Sequence, residues 1–141
     1  MSFWLKCVAC VIIYNSERQI FLGKRPKESV EGGKWALSSG KGSFEESTDR
    51  LDFARRELQY DLSNRVVPSR LKYFDTFHVG DIKRLCVEDI YSYKADELIR
   101  FSNRKKALAN GRWFSISEIK KLEERGQIAF DHFEIMIRFI K

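Results

Sequence analysis

The chain is poor in the residues that mark most non-globular classes. Two prolines in 141 residues exclude a collagen-like or polyproline-rich chain. Three cysteines, an odd and low count, do not make a disulfide framework. Two of them, Cys7 and Cys10, form a C-x-x-C inside the apolar run Cys7-Val8-Ala9-Cys10-Val11-Ile12-Ile13-Tyr14. In a strand, positions i and i+3 face opposite sides, so these sulfurs point apart, and no second C-x-x-C completes a zinc site. They are read as buried reduced thiols, which points to the cytoplasm. The same run is too short to span a bilayer and lacks the flanks of a signal peptide, so no membrane association is expected. His78 and His132 lie far apart without metal-ligand spacing, and each is read as structural. Acidic residues are missing from one stretch: Leu98 to Trp113 has no Asp or Glu, but holds Arg100, Arg104, Lys105, Lys106 and Arg112.

What is present fits a folded domain. Hydrophobic residues make up 43% and aromatics 13%, far from a disordered composition. A chain of this length buries about two thirds of its extended-chain surface, enough for one core, and residues 1–141 are expected to form one domain. The net charge of +6 suggests an anionic partner such as a nucleotide, RNA or an acidic surface. Its bland counterpart is a solvated surplus of Lys and Arg, and Arg100 to Arg112 can be read either way.

Strands are expected over Phe3–Tyr14 and Gln19–Leu22, joined by a turn at Asn15–Arg18, then over Lys34–Leu37. Ser38–Phe44, rich in Ser and Gly, reads as a loop. A helix capped by Ser47 or Thr48 runs to about Leu62, with Leu51, Ala54, Leu58 and Leu62 on one stripe. Strands at Leu71–His78 and Ile82–Tyr93 flank a hairpin turn at Val79–Asp81. Another strand lies at Arg112–Ile116, and Ser117 caps a short helix over Glu118–Glu124. A final helix from Phe130 to Lys141 carries Phe130, Phe133, Ile137 and Ile140 on one face. Glu31-Gly32-Gly33-Lys34 lacks the spacing and Ser/Thr of a phosphate loop and reads as a turn. The order is mixed α+β without βαβ repeats.

Chemistry concentrates between Gly40 and Asn64. Glu57 and Asp61 are four apart on a helix and share a face, distinct from the leucine stripe. Two carboxylates one turn apart beside a Gly-rich loop suit a hard divalent cation, which takes oxygen ligands and keeps water and phosphate as partners. The competing reading is a solvated face on which acids pair with Arg50, Arg55 and Arg56.

This segment resembles the Nudix box, G-x5-E-x7-R-E-U-x-E-E-x-G-U with U aliphatic. Gly40, Glu46, Arg56, Glu57 and Leu58 match in type, and Asp61 keeps the carboxylate of the second Glu in the E-E pair. Trp35-Ala36-Leu37 resembles the strand entering the box, and Arg112 to Ile119 the late strand-to-helix step. The resemblance implies a Nudix-type α/β/α sandwich with a mixed central sheet. It also implies cleavage of a pyrophosphate bond in a nucleoside diphosphate-linked substrate with Mg²⁺ or Mn²⁺. Glu57 and Asp61 would hold the metal with Gly40 as backbone contributor, and Arg56 would pair with Glu46 to brace the loop. Gly40, Lys41, Lys24 and Arg25 would meet the substrate. Oligomeric state is left open, a homodimer being compatible.

The box also departs from the pattern. Nine residues separate Glu46 from Arg56 where the family has seven. Tyr60 stands at the first Glu of the E-E pair, Ser63 and Asn64 replace the closing Gly and aliphatic, and Ser38-Ser39 replaces Pro-Gly. The acid-free stretch before Trp113 is where many members carry a catalytic carboxylate, leaving Glu88, Asp89, Asp96 and Glu97 as candidate bases. These departures motivate an alternative: a catalytically impaired Nudix-fold module that binds a nucleotide or RNA, or regulates. An isomerase of the same fold ranks below both.

Overall fold

The computed structural model describes residues 4–43, 49–80, 84–104 and 107–141, with backbone only at 4–6, 42–43, 79–80 and 84–85. Its elements are β1 (Trp4–Tyr14), β2 (Ile20–Lys24), β3 (Trp35–Ala36), β4 (Ser38–Ser43), α1 (Arg50–Asp61), β5 (Leu71–Gly80), β6 (Arg84–Lys94), β7 (Ala109–Phe114), α2 (Ile116–Glu124) and α3 (His132–Ile140). A 3₁₀ turn over Pro68–Arg70 precedes β5.

The strands form one mixed sheet in the order β3-β2-β1-β6-β5, with β4 also paired to β1 and β7 to β2. β1 and β6 are parallel along their whole length, from Trp4 opposite Arg84 to Tyr14 opposite Lys94. The other pairings are antiparallel. The apolar run in β1 is buried on both faces, as its near-continuous hydrophobicity requires. Ala9, Val11 and Ile13 point to one core with Phe53, Ala54, Leu58 and Leu62 of the α1 segment. Cys10 and Ile12 point to the other, with Ile119 of α2 and Ile135 and Met136 of α3. Helices on both faces of a mixed sheet make an α/β/α sandwich. Leu58 is completely buried, worth about 1.5–3 kcal/mol relative to exposure. Cys7 and Cys10 are buried free thiols, on opposite faces as the strand period demands.

Local chemistry accounts for most element ends. The side chain of Asp49 caps α1 by accepting from the Asp52 N–H. Ser47 and Thr48 lie outside the described residues, as does Glu46. Ser115, rather than Ser117, caps α2 in a reciprocal capping box with Glu118. Gly126, at φ 66°, lets the chain leave α2. Glu31–Lys34 forms a turn, with Gly33 at φ 78°.

Four sequence expectations need correcting. Ser38–Ser43 is a strand, because its backbone pairs with β1 from Val11 opposite Ser38 to Lys6 opposite Ser43, whatever its composition favours. The apolar stripe of α1 starts at Phe53, and Leu51 is exposed. Phe130 precedes α3 rather than belonging to its apolar face, and adopts φ 52°. Val79 and Gly80, expected in the hairpin turn, belong to β5 and pair with Cys86 and Leu85, while residues 81–83 lie outside the described residues.

Candidate functional site

β4 explains its own glycine. Successive residues of a strand face opposite sides. Ser38 and Gly40 sit opposite Val11 and Ala9 and so face α1, while Ser39 and Lys41 sit opposite Cys10 and Val8 and face the other way. A Cβ on Gly40 would lie 2.2 Å from Oε2 of Glu57 and 2.3 Å from its Cδ. The Glu57 carboxylate thus occupies the space that any other residue at position 40 would fill. One turn on, the hydroxyl of Ser38 donates to Oδ2 of Asp61 at 2.5 Å. Asp61 is buried and Glu57 half-buried. The sheet and the helix therefore bring together Gly40, Glu57 and Asp61.

Both carboxylates hold their protons more tightly than usual. Burial pushes Asp61 up to about 6, the Ser38 hydrogen bond opposing and the charge of Glu57 adding. Burial also raises Glu57, with Arg56 opposing. Among the described residues no three His, Cys, Asp or Glu side chains converge on one point. The local donor set is then two carboxylates plus the Gly40 backbone. That set fits a hard divalent cation such as Mg²⁺ or Mn²⁺ whose remaining positions go to water and phosphate.

On the opposite face of β4 lies a cleft of about 710 Å³ lined by Val8, Ser39, Gly40, Lys41, Glu88, Phe130, Asp131 and His132, among others. Gly40 belongs to both the cleft wall and the carboxylate pair. The volume falls in the range of small-molecule sites. Arg25 and Lys41 line it, but Lys24 does not: its ammonium lies 5.3 Å from the Trp35 ring. Arg25 stacks over Phe130 at 4.7 Å and donates to the Val30 carbonyl. Arg56, half-exposed, pairs with Asp52 one turn back at 3.2 Å.

The four candidate bases separate clearly. Asp89 is buried on the α1 face, where it accepts from Arg50 at 2.5 and 2.6 Å and from Thr76 at 2.9 Å. Asp96 accepts from Ser16, and Glu97 from Arg70. Glu88 alone lines the cleft, where burial first, then a side-chain hydrogen bond and the charge of Asp131, raise its proton affinity. That raised affinity and the tie to Asp131 set it apart from the other three.

His132 is structural, as its sequence setting suggested, and also borders the cleft. It is buried at the cleft wall, and its Nδ1 accepts from the Leu37 N–H at 3.0 Å. Burial lowers it to about 4, so the ring is neutral with its proton on Nε2. The sequence pattern gave Asp131 no role and placed Phe130 on a helix's apolar face rather than at a cleft wall. The only available signal was polar residues interrupting the apolar pattern at the start of the last helix.

Comparison with known proteins gives a consistent placement. No curated protein sequence matches the chain. Among solved structures, a MutT protein from Methanosarcina mazei Go1 superposes with TM-score 0.70 at 15% identity, covering 100% of this chain and 99% of that one. The NUDIX domain of Shewanella oneidensis NrtR, solved with ADP ribose, gives TM-score 0.68 at 16% identity over 96% of this chain and 85% of that one. A bifunctional NMN adenylyltransferase/ADP ribose pyrophosphatase from Francisella tularensis, complexed with AMP and a Mn ion, gives TM-score 0.67 at 17% identity over 99% of this chain and 41% of that one. The family model of the NUDIX domain matches residues 5–138, nearly the whole chain, and the chain belongs to that family.

Proposed function

We propose that this Nudix hydrolase cleaves a pyrophosphate bond in a nucleoside diphosphate-linked substrate with Mg²⁺ or Mn²⁺. The observation that carries the reading is the Glu57 carboxylate seated against Gly40, at the shared wall of a nucleotide-sized cleft. Neighbours of this fold solved with ADP ribose, or with AMP and a Mn ion, support it.

In this reading the base enters the cleft between Phe130 and the Glu88–Asp131 pair. The Nε2–H of His132 donates to the base, and the hydrogen-bonded Glu88–Asp131 pair lines its other edge. Lys41 and Arg25 draw the diphosphate toward β4. Glu57 and Asp61, with the Gly40 backbone, would hold the metal. When bound, the metal supplies charge neutralisation and a water of lowered pKa. Ser38 fixes the Asp61 carboxylate and keeps one of its oxygens directed. Glu57, seated against Gly40, would be the main ligand. Cysteines outside any disulfide suit a cytoplasmic setting, and no helix among the described residues is long and apolar enough to cross a membrane.

Glu57→Gln keeps size and polarity while removing the charge. Assayed on a nucleotide panel with and without Mg²⁺ and Mn²⁺, this variant should lose at least about 100-fold in turnover with an unchanged melting temperature. Full activity in the variant would overturn the assignment.

A second reading, a nucleotide-binding or regulatory module without turnover, is favoured by Tyr60, which stands beside Glu57 on α1 under the guanidinium of Arg104. It predicts nucleotide binding that survives EDTA, with no phosphate or pyrophosphate released under any metal.

A further inference from the structure

The acid-free stretch after β6 has a defined place. Its backbone is fastened to the C-terminal end of α1. The Ser63 N–H donates to the Arg100 carbonyl at 2.9 Å, and the Ser102 N–H to the Asp61 carbonyl at 2.7 Å. The Ser102 hydroxyl donates to the Tyr60 carbonyl at 2.8 Å, and the Arg100 N–H to Oδ1 of Asn64 at 2.9 Å. Phe101 is buried in the α1 core and forms a bridge with Leu62. Residues 100–102 are thus fastened to the end of α1, and Arg104 follows two residues later. The Arg104 guanidinium lies 4.8 Å from the centre of the Tyr60 ring. Tyr60 is three residues after Glu57, about 5–6 Å away on the helix surface.

Among the described residues no carboxylate pairs with Arg104. A cation–π stack fixes a guanidinium's plane while leaving its N–H edge available. That edge is the group that binds phosphate as a fork. Such a cation, ordered by an aromatic ring and one turn from a carboxylate pair, is built for an anion.

The order of features along the site then says which anion. The cleft lies on one face of β4, Gly40 is shared between the two faces, Glu57 lies beyond it, and Tyr60 with Arg104 lies a turn further along α1. A substrate laid base-first along this line meets Arg104 beyond its diphosphate. A terminal phosphate carries about −1.5 to −2 charges and three free oxygens, whereas a neutral sugar there offers the guanidinium nothing.

We propose that Arg104, ordered by Tyr60, binds the terminal phosphate of the substrate, so that the site selects nucleoside triphosphates over nucleoside diphosphates capped by a neutral group. This rests on the nucleotide reading above and narrows the moiety linked to the diphosphate.

The test uses pairs that share a base, so that the cleft's contribution cancels: ATP with ADP-ribose, GTP with GDP-mannose, UTP with UDP-glucose and CTP with CDP-glycerol. Dissociation constants are measured by calorimetry in EDTA for the whole protein. In the best-bound pair the wild type should prefer the triphosphate. Arg104→Ala should weaken the triphosphate about 10-fold or more and the capped partner by less than about threefold. Tyr60→Phe, which keeps the ring, should behave as wild type, and Tyr60→Ala should follow Arg104→Ala. An Arg104→Ala variant with an unchanged ratio would overturn this inference and leave the nucleotide reading intact. No binding of any pair by the wild type would overturn both.

Discussion

Gly40→Ala should separate function from stability without changing either carboxylate. The added Cβ would lie 2.2 Å from Oε2 of Glu57, 2.3 Å from Cδ and 2.6 Å from Cγ. To reach the 3.4 Å of ordinary contact, the carboxylate must retreat by about 1.2 Å. Only the end of a flexible, half-buried side chain has to move, and Gly40 has no positive φ to defend. Forcing Glu57 off its rotamer costs about 0.5–1.5 kcal/mol. Replacing glycine by alanine in a strand returns about 0.5–1 kcal/mol. The two nearly cancel, so the melting temperature should stay within about 4 °C of wild type. The site should fare very differently. A displacement of about 1 Å costs about 100-fold when a group must meet a metal and a phosphate in fixed geometry. Mn²⁺ binding followed by electron paramagnetic resonance should weaken in step with turnover, while circular dichroism and thermal melting stay flat. A Gly40→Ala protein that binds Mn²⁺ as well as wild type would refute the reasoning. So would one that unfolds at a much lower temperature, since that would make Gly40 a structural residue alone.

The remaining predictions concern what holds and tunes the site. Asp89→Asn leaves Arg50 facing an uncharged group that presents a donor as readily as an acceptor; since Arg50 retains access to water, the cost should be about 1–3 kcal/mol in urea unfolding, and a loss under about 0.5 kcal/mol would show that the Arg50–Asp89–Thr76 network does not anchor the start of α1. His132 has a folded-state value lowered to about 4 from an ordinary 6.5, so the unfolded chain binds the extra proton; its stabilising contribution is present above about 6.5 and is lost as pH falls toward 4, about 3 kcal/mol in all. Glu88, raised by burial, slopes the other way, its contribution fading as pH rises through its elevated folded-state value. The difference between wild-type and His132→Gln unfolding curves isolates the histidine, and parallel curves from pH 4 to 7 would contradict the assignment.

Much of this protein was legible in the chain because it depends on local periodicity and spacing. The unbroken apolar run of β1 announced a strand buried on both faces. The i, i+4 spacing of Glu57 and Asp61 put both on one face of a helix, and the i, i+3 spacing of Cys7 and Cys10 put their sulfurs on opposite faces of a strand. The box residues themselves were sufficient to name the family. What sequence could not supply was pairing over distance. Ser38–Ser43 has a loop's composition, and only hydrogen bonding to β1 makes it a strand. Arg50 and Asp89 are separated by 39 positions and share no pattern, yet their ion pair anchors α1 to the sheet. Arg56, expected to brace the loop through Glu46, pairs with Asp52 of its own helix, and Glu46 lies outside the described residues. The cleft draws Glu88, Phe130, Asp131 and His132 from two distant elements, and only packing α3 against the sheet brings them together. The same holds for the charge surplus. Sequence determined that a basic, acid-free stretch exists; the tertiary structure decided that its Arg104 rests on Tyr60, because backbone hydrogen bonds and the burial of Phe101 tie that stretch to the helix carrying Glu57.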